Sequence, residues 1–400
     1  VPRFEPFHGI RYNTGQLDPA AVTAPPYDVI SPADREVLLV AAPSNVVRID
    51  LPVADPGNPS ADPYRAAAEL FDAWRADGTL VDDPEPSFTV YRMEATDEDG
   101  TVRHTTGVIG AMELSRPGED GILPHEFTTP KAKSDRLDLL RSTVANLSPV
   151  WGLSPARGLT ALLETIDAPL AHFTSDDVTH TVWRITDPSR IAAISTAIGS
   201  EPIVIADGHH RYETSLAYRD ERRLADDGFA GGAESVLCFV VELVDEELTV
   251  GPIHRLVSGL PPDFDILAAL EPYFEIDEFE ITGTATIRRL EEAGGLAIVL
   301  PGRTALLRPT AAVVDAARDL DTSRLDIALA ALPDPTVVYQ HGVGHVLDHV
   351  RSGDAQVGFL LRPASVAQIV EIAHGGERMP PKTTFFSPKP RTGIVFRDLH

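Results

Sequence analysis

Hydrophobic positions change their period repeatedly along this chain, and each change marks an element. In "PADREVLLVAAP" and "DPYRAAAELFDAWRADGTL" apolar residues recur at helical spacing, which predicts two helices. "SFTVYRMEATDEDGTVRHTTGVIGAMEL" reads as a β-hairpin closed by the turn signal Glu98-Asp99-Gly100. "SRIAAISTAIGS" predicts a helix that leads through Glu201-Pro202 into the apolar run Ile203 to Ala206, a strand. "HRYETSLAYRDERRLADD" is the helix that follows, and "SVLCFVVELVDEELTVGPIHRLV" predicts two more strands. Beyond it "DFDILAALEPYF", "IRRLEEAG", "GLAIVLPGRTALLRP", "TSRLDIALAALP" and "SVAQIVEIAHGG" alternate helix and hairpin. The mixture predicts an α+β, or mixed α/β, chain. A regular βαβα rhythm is missing, so a doubly wound sheet is not expected.

Four hundred residues exceed what one hydrophobic core organises, so several subdomains are expected. The pattern breaks at "APLAHFTSDDVTH" near residue 170 and at "SGLPPDFD" near 258. These breaks divide the chain into 1–170, 171–257 and 258–400. The 34 prolines mostly punctuate element boundaries, and neither an internal repeat nor a low-complexity tract is visible.

Composition narrows the class. A hydrophobic fraction of 43% and a charged fraction of 24% are ordinary for a soluble globular protein. No apolar run approaches bilayer length, and "VPRFEPFHGIRYNTG" lacks the pattern of a secretory leader. The single cysteine, Cys238, lies in the apolar run "ESVLCFVVEL" and reads as a small buried hydrophobe. A cytoplasmic protein with no membrane partner is expected.

A formal net charge of −26 opposes non-specific attraction to nucleic acid or anionic lipid, so the expected partner is a small molecule. The basic residues are unevenly spread. Of 34, four are lysines: Lys131, Lys133, Lys382 and Lys389, confined to two short segments. The second segment, Arg378 to Arg397, carries five positive charges and no carboxylate. Such segments suit an anion site in which a compact ammonium is wanted.

Several signatures are absent: the Gly-Lys of a P-loop, a strand followed by G-x-G-x-x-G, H-E-x-x-H, and G-x-S-x-G. Four segments look chemical instead. "APPYDVIS" is a proline-stiffened turn presenting Tyr27 and Asp28, with Ser31 suited to cap a following helix. "HEFTTPKAKSDRLDLLRSTVANLSPVWGL" crowds His125, Glu126, Lys131, Lys133, Asp135 and Arg136 ahead of Asn146. Its Asp138 and Arg141 suit a solvated helix face, but "HEFT" and the lysines fall in a loop.

The third segment is "IVIADGHHRYETSLAYRDERR". Asp207 is placed to cap the helix and Gly208 to let the backbone turn tightly. The free amides of the first turn and the helix dipole favour an anion there, and His209, His210 and Arg211 add side-chain donors. The fourth, "GERMPPKTTFFSPKPRTGIVF", holds Lys382, Thr383, Thr384 and Ser387, and reads as a basic loop closing on an anionic ligand. Among His125, Glu126, Asp207, His209 and His210, no pair has zinc spacing on one helix face. Mg²⁺ carried in by a nucleotide needs fewer carboxylates.

These four blocks, spread from residue 24 to 396, resemble the signature blocks of the bacterial and archaeal family called domain of unknown function 1015. The strand–"DGHHR"–helix unit is also similar to the phosphate-binding box of the ParB/sulfiredoxin superfamily, and archaeal free-serine kinases of that superfamily carry a closely similar Asp-Gly-His-His-Arg. The resemblance implies a ParB/sulfiredoxin-like nucleotide-binding unit in which Asp207, Gly208, His209, His210 and Arg211 surround nucleotide phosphates. The kinases' base cannot be placed here by spacing; on its chemistry, Glu126 is the candidate.

The leading expectation is a small-molecule phosphotransferase using ATP or ADP with Mg²⁺, its acceptor the hydroxyl of free L-serine. His210, with Glu126 or Asp207, is the catalytic candidate set. Gly208, His209, Arg211, Lys131, Lys133, Lys382 and Thr383 are expected at the phosphates, and Tyr27, Asp28, Arg136 and Asn146 at the acceptor. Two alternatives use the same residues: a metal-assisted hydrolase of phosphate esters or nucleotides, and a nucleotide-responsive regulatory protein without catalysis.

Overall fold

The computed structural model describes all residues except 55, 56, 58–60, 97–99, 117, 118, 120, 125–132, 166, 226, 227, 229, 282, 376–378 and 381. For 124, 133, 134, 284, 373 and 374 it describes the backbone alone. The turn Glu98-Asp99 of the expected hairpin lies outside the described residues.

The chain folds as a mixed α/β protein built on a nine-stranded sheet. In spatial order its strands are Ile122–Pro124, Ile203–Asp207, Val150–Ser154, Ser235–Glu242, Val102–Glu113, Phe88–Thr96, Val178–Ile185 and Ala171–Ser175, with Phe4–Glu5 pairing beside Val102–Glu113. The pairing is mostly antiparallel, as the missing βαβα rhythm predicts; Ile203–Asp207 runs parallel to Ile122–Pro124, and Ser235–Glu242 parallel to Val150–Ser154. Strands come from both sides of residue 170.

Both faces of this sheet are covered, which explains its continuous apolar runs. Along Ile203–Asp207, Val204 and Ala206 join one core while Ile203 and Ile205 join the other. Along Ser235–Glu242, Leu237, Phe239 and Val241 face the first core; Val236, Cys238 and Val240 face the second. Cys238 is fully buried, as its apolar context predicted, and burial raises its thiol pKa.

The expected helices form at Pro32–Ala41, Pro63–Ala76, Pro188–Ile198 and His209–Ala225. Ser31 caps the first in a capping box with Asp34. A four-stranded sheet, ordered Leu80–Asp82, Gly9–Tyr12, Phe396–Asp398 and Ala145–Asn146, ties the last residues of the chain to the first. The bridge between Ala24 and Thr392 extends that union towards the turn at Tyr27.

The segment "SVLCFVVELVDEELTVGPIHRLV" yields three strands where two were expected. After Ser235–Glu242 come Thr249–Pro252 and His254–Ser258, which belong to different sheets. His254–Ser258 enters an antiparallel six-stranded sheet that forms a lobe with its own core. Among the described residues Thr249–Pro252 pairs with Thr384–Ser387 alone, Thr249 opposite Ser387 and Pro252 opposite Thr384. From this two-stranded ribbon the chain enters the lobe, and it returns to the ribbon after Ala364, Ile369 and Met379 have joined the core of the nine-stranded sheet.

Candidate active site

The strand Ile203–Asp207 breaks register against Val150–Ser154 between Ile205 and Asp207. Such a bulge re-aims the next side chain, and here that side chain is Asp207. Gly208 follows at φ +84°, a left-handed conformation that the turn requires and that L side chains seldom adopt. The helix His209–Ala225 then begins, with Tyr212 N–H donating to Gly208 O at 2.9 Å.

Asp207 becomes the centre of a charged cluster. Its Oδ2 accepts from an Arg211 Nη at 2.7 Å, and its Oδ1 accepts from Lys389 Nζ at 2.6 Å. Lys389 also reaches Asp28 Oδ2 at 3.4 Å, and Arg211 donates its other Nη to the carbonyl of Pro149. The side chains of Arg211, Lys389 and Asp207 are 10%, 13% and 19% exposed, so solvent screens them weakly. Burial pushes the Asp207 pKa up, but Lys389 and then Arg211 override it and hold the carboxyl at about 2. For Lys389, burial lowers the pKa, and Asp207 with Asp28 reverses that and raises it. Asp207 and Lys389 are therefore ionised throughout the neutral range, with Arg211 and the more exposed Asp28 against them.

A second group stands beside it. Arg136 lies in the helix Lys133–Thr143 and places its guanidinium 4.2 Å from the centre of the Tyr27 ring. It donates to Asp50 O at 2.7 Å and Oδ1 at 3.3 Å, and pairs with Asp135. Burial raises the Asp50 pKa, which Arg136 and Arg211 partly offset. Tyr27, Asp50, Arg136, Asn146, Ser148 and Arg211 line one cavity of about 50 Å³. Arg211 belongs to both the charged cluster and this cavity.

The structure thus brings Tyr27, Arg136, Asn146 and Arg211 to one cavity, and joins Asp28 to Asp207 through Lys389. His209 and His210 open the helix as half-buried residues. Asn146 Oδ1 accepts from Leu237 N–H at 2.9 Å, so part of its side chain's hydrogen-bonding capacity holds the sheet together. Lys382 is exposed at φ +60°. Thr383 is buried, donates to Pro380 O at 2.7 Å, and lines a separate cavity with Asp321 and Arg362. Glu126, His125 and Lys131 lie outside the described residues, and Lys133 is described in its backbone alone, at the start of its helix.

Two residues of the site went unassigned in the sequence reading. Lys389 had a signal, as one of four lysines in the basic C-terminal segment. Asp50 had none, because "VVRIDLP" reads as a short apolar turn of helix whose polar residues, Arg48 and Asp50, match no motif.

Solved structures of low similarity exist. A conserved hypothetical protein from Pyrococcus furiosus is 13% identical, with a TM-score of 0.37 over 69% of this chain and 90% of that one. A free serine kinase in complex with AMP is 12% identical, with a TM-score of 0.37 over 69% of this chain and 88% of that one. SbnI with C-terminal truncation, from Staphylococcus aureus, is 12% identical, with a TM-score of 0.41 over 72% and 85%. No curated protein matches the chain. A family model does match, over residues 4–326, and the chain accordingly belongs to the family described as Protein of unknown function (DUF1015).

Proposed function

We propose that the protein is a phosphotransferase that moves a phosphoryl group from ATP or ADP to the hydroxyl of free L-serine. The observation that carries this reading is the junction at Arg211, which stands both in the ionised cluster at the start of a long helix and in the lining of the small cavity that holds Arg136. Phosphoryl transfer asks the protein for positioning and charge neutralisation, and little else.

Arg211, Lys389, His209, His210 and the first-turn amides after Gly208 surround the phosphates. Mg²⁺ arrives with the nucleotide and needs one or two carboxylates; Asp28, the more exposed of the pair on Lys389, is suited to it. Asp207 is ionised but held by two cations, which makes it a poor proton acceptor at neutral pH. It positions Lys389 and Arg211, and the general base is assigned to Glu126. The cavity beside Arg211 has room for a few water molecules by volume, a scale that suits a small amino acid. There Arg136 faces the acceptor's carboxylate, and Asp50 with Tyr27 faces its ammonium.

The test is ³¹P NMR of the purified protein with ADP or ATP, Mg²⁺ and serine. A phosphoserine resonance that disappears in His210→Ala and in Glu126→Gln supports the reading. Free phosphate without a phosphorylated acceptor would instead make the protein a hydrolase, and unchanged nucleotide would make it a binding protein.

A further inference from the structure

A cavity of about 470 Å³ lies between the ribbon and the lobe, and the phosphotransfer reading does not use it. It is lined by Phe385 and Val250 from the ribbon, by His254, Gln340 and His341 from the lobe, and by Ile287. Among the described residues that line it, none is Asp, Glu, Lys or Arg. Such a lining suits an uncharged, partly apolar group.

Two lining residues provide a hydrogen-bonding code. His254 and Gln340 are direct cross-strand partners, so their side chains stand side by side on one face of the lobe sheet. The Nδ1 of His254 accepts from Leu361 N–H at 3.1 Å, which places its own proton on Nε2 and makes that atom a donor. Burial, followed by Arg255 and His341, lowers its pKa to about 3, so the ring is neutral. The amide Nε2 of Gln340 donates to His341 O at 2.9 Å, which leaves Oε1 as an acceptor. A neutral donor beside a neutral acceptor matches the edge of a heterocycle that carries a ring nitrogen next to an amino group. The aromatic wall is present too: the His341 ring meets Phe385 edge-on at 4.3 Å. Bases are commonly held by such combinations of aromatic faces and edge contacts.

The cavity is also within reach of the phosphate cluster. Lys389 Nζ, paired with Asp207, stands 5.9 Å from the centre of the Phe385 ring. We propose that the cavity between ribbon and lobe is the purine nucleoside subsite of the nucleotide whose phosphates lie at Arg211 and Lys389. This assignment rests on the phosphotransfer reading for the phosphates, but not on turnover. A nucleotide spanning both places bridges lobe and body across the ribbon, so the lobe supplies recognition while the body supplies chemistry.

Calorimetric titration with adenosine tests it, because adenosine lacks the phosphates. The unmodified protein is expected to bind adenosine, and ADP to displace it. Gln340→Leu, which removes the acceptor, is expected to weaken adenosine by about tenfold. Thr96→Trp fills the cavity from an exposed lining position and is expected to abolish binding without touching the core. Arg211→Ala is expected to weaken ADP while leaving adenosine unchanged. The assignment is overturned if the unmodified protein fails to bind adenosine, if both cavity variants bind it normally, or if adenosine and ADP bind together. Adenosine binding with no phosphoserine formed would remove the kinase reading and leave the subsite standing.

Discussion

Lys389 Nζ lies 2.6 Å from Asp207 Oδ1 although 182 residues separate them in the chain. Two sheets create this contact. The ribbon strand Thr384–Ser387 fixes the chain just before Lys389, and Phe396–Asp398, paired to Gly9–Tyr12, fixes it just after. Between these anchors the ammonium has few places to go, and the bulge before Asp207 turns the carboxylate to meet it.

Asp207→Asn is expected to destabilise the fold by roughly 3 kcal/mol, the lower end for breaking a buried ion pair, because it leaves Lys389 and Arg211 facing each other. Lys389→Met removes one of those cations. The double variant is expected to be more stable than the sum of the single losses. Urea unfolding of the four proteins measures this directly, and strict additivity would show that the two side chains do not act as a pair.

The same contact sets an acid limit. The folded carboxyl of Asp207 titrates at about 2, below its ordinary 3.8, so its ionised form stabilises the fold above pH 4. That contribution, on the order of 2 kcal/mol, is lost as the pH falls from about 4 towards 2. Urea midpoints across this range are expected to fall more steeply for the unmodified protein than for Asp207→Asn, which has no proton to gain.

Gly208 is expected to tolerate no side chain. At φ +84° an L residue is strained by about 1–2 kcal/mol, and a Cβ would come within 3.0 Å of the Arg211 guanidinium carbon and Nε. Gly208→Ala therefore displaces the arginine as well as straining the turn. Titration with ADP is expected to show weakened binding beyond any change in thermal stability; normal affinity would exclude Arg211 from the phosphate site.

Arg136→Lys keeps the charge but loses the planar fork that faces Asp50 and stacks over Tyr27. If Arg136 holds the acceptor's carboxylate, KM for serine is expected to rise by about tenfold or more, with kcat changed much less. A fall in kcat at constant KM would place Arg136 at the transferring phosphoryl group instead.

Much of the site is legible in the sequence. The run Ile203 to Ala206, then Asp207-Gly208, then a helical period, states a strand, a turn and a helix start, since each is a local preference of the backbone. The aromatic and charged turn at Tyr27 and Asp28, and the helix bearing Arg136, were legible for the same reason. So was Lys389 as a member of a basic segment, though not as a partner of Asp207.

What only the tertiary structure decided is which of these segments meet. No local signal makes Phe396–Asp398 return to Gly9–Tyr12, or pairs Thr249–Pro252 with Thr384–Ser387 across the whole lobe. The third strand in "SVLCFVVELVDEELTVGPIHRLV" went unseen because its partner lies far along the chain. Asp50 went unseen because a buried carboxylate gains its meaning from Arg136. His254 and Gln340 face each other only once the lobe sheet has formed. Turns, caps and periods are short-range energies that a sequence displays along its length, whereas pairings across hundreds of residues depend on the burial of whole faces together.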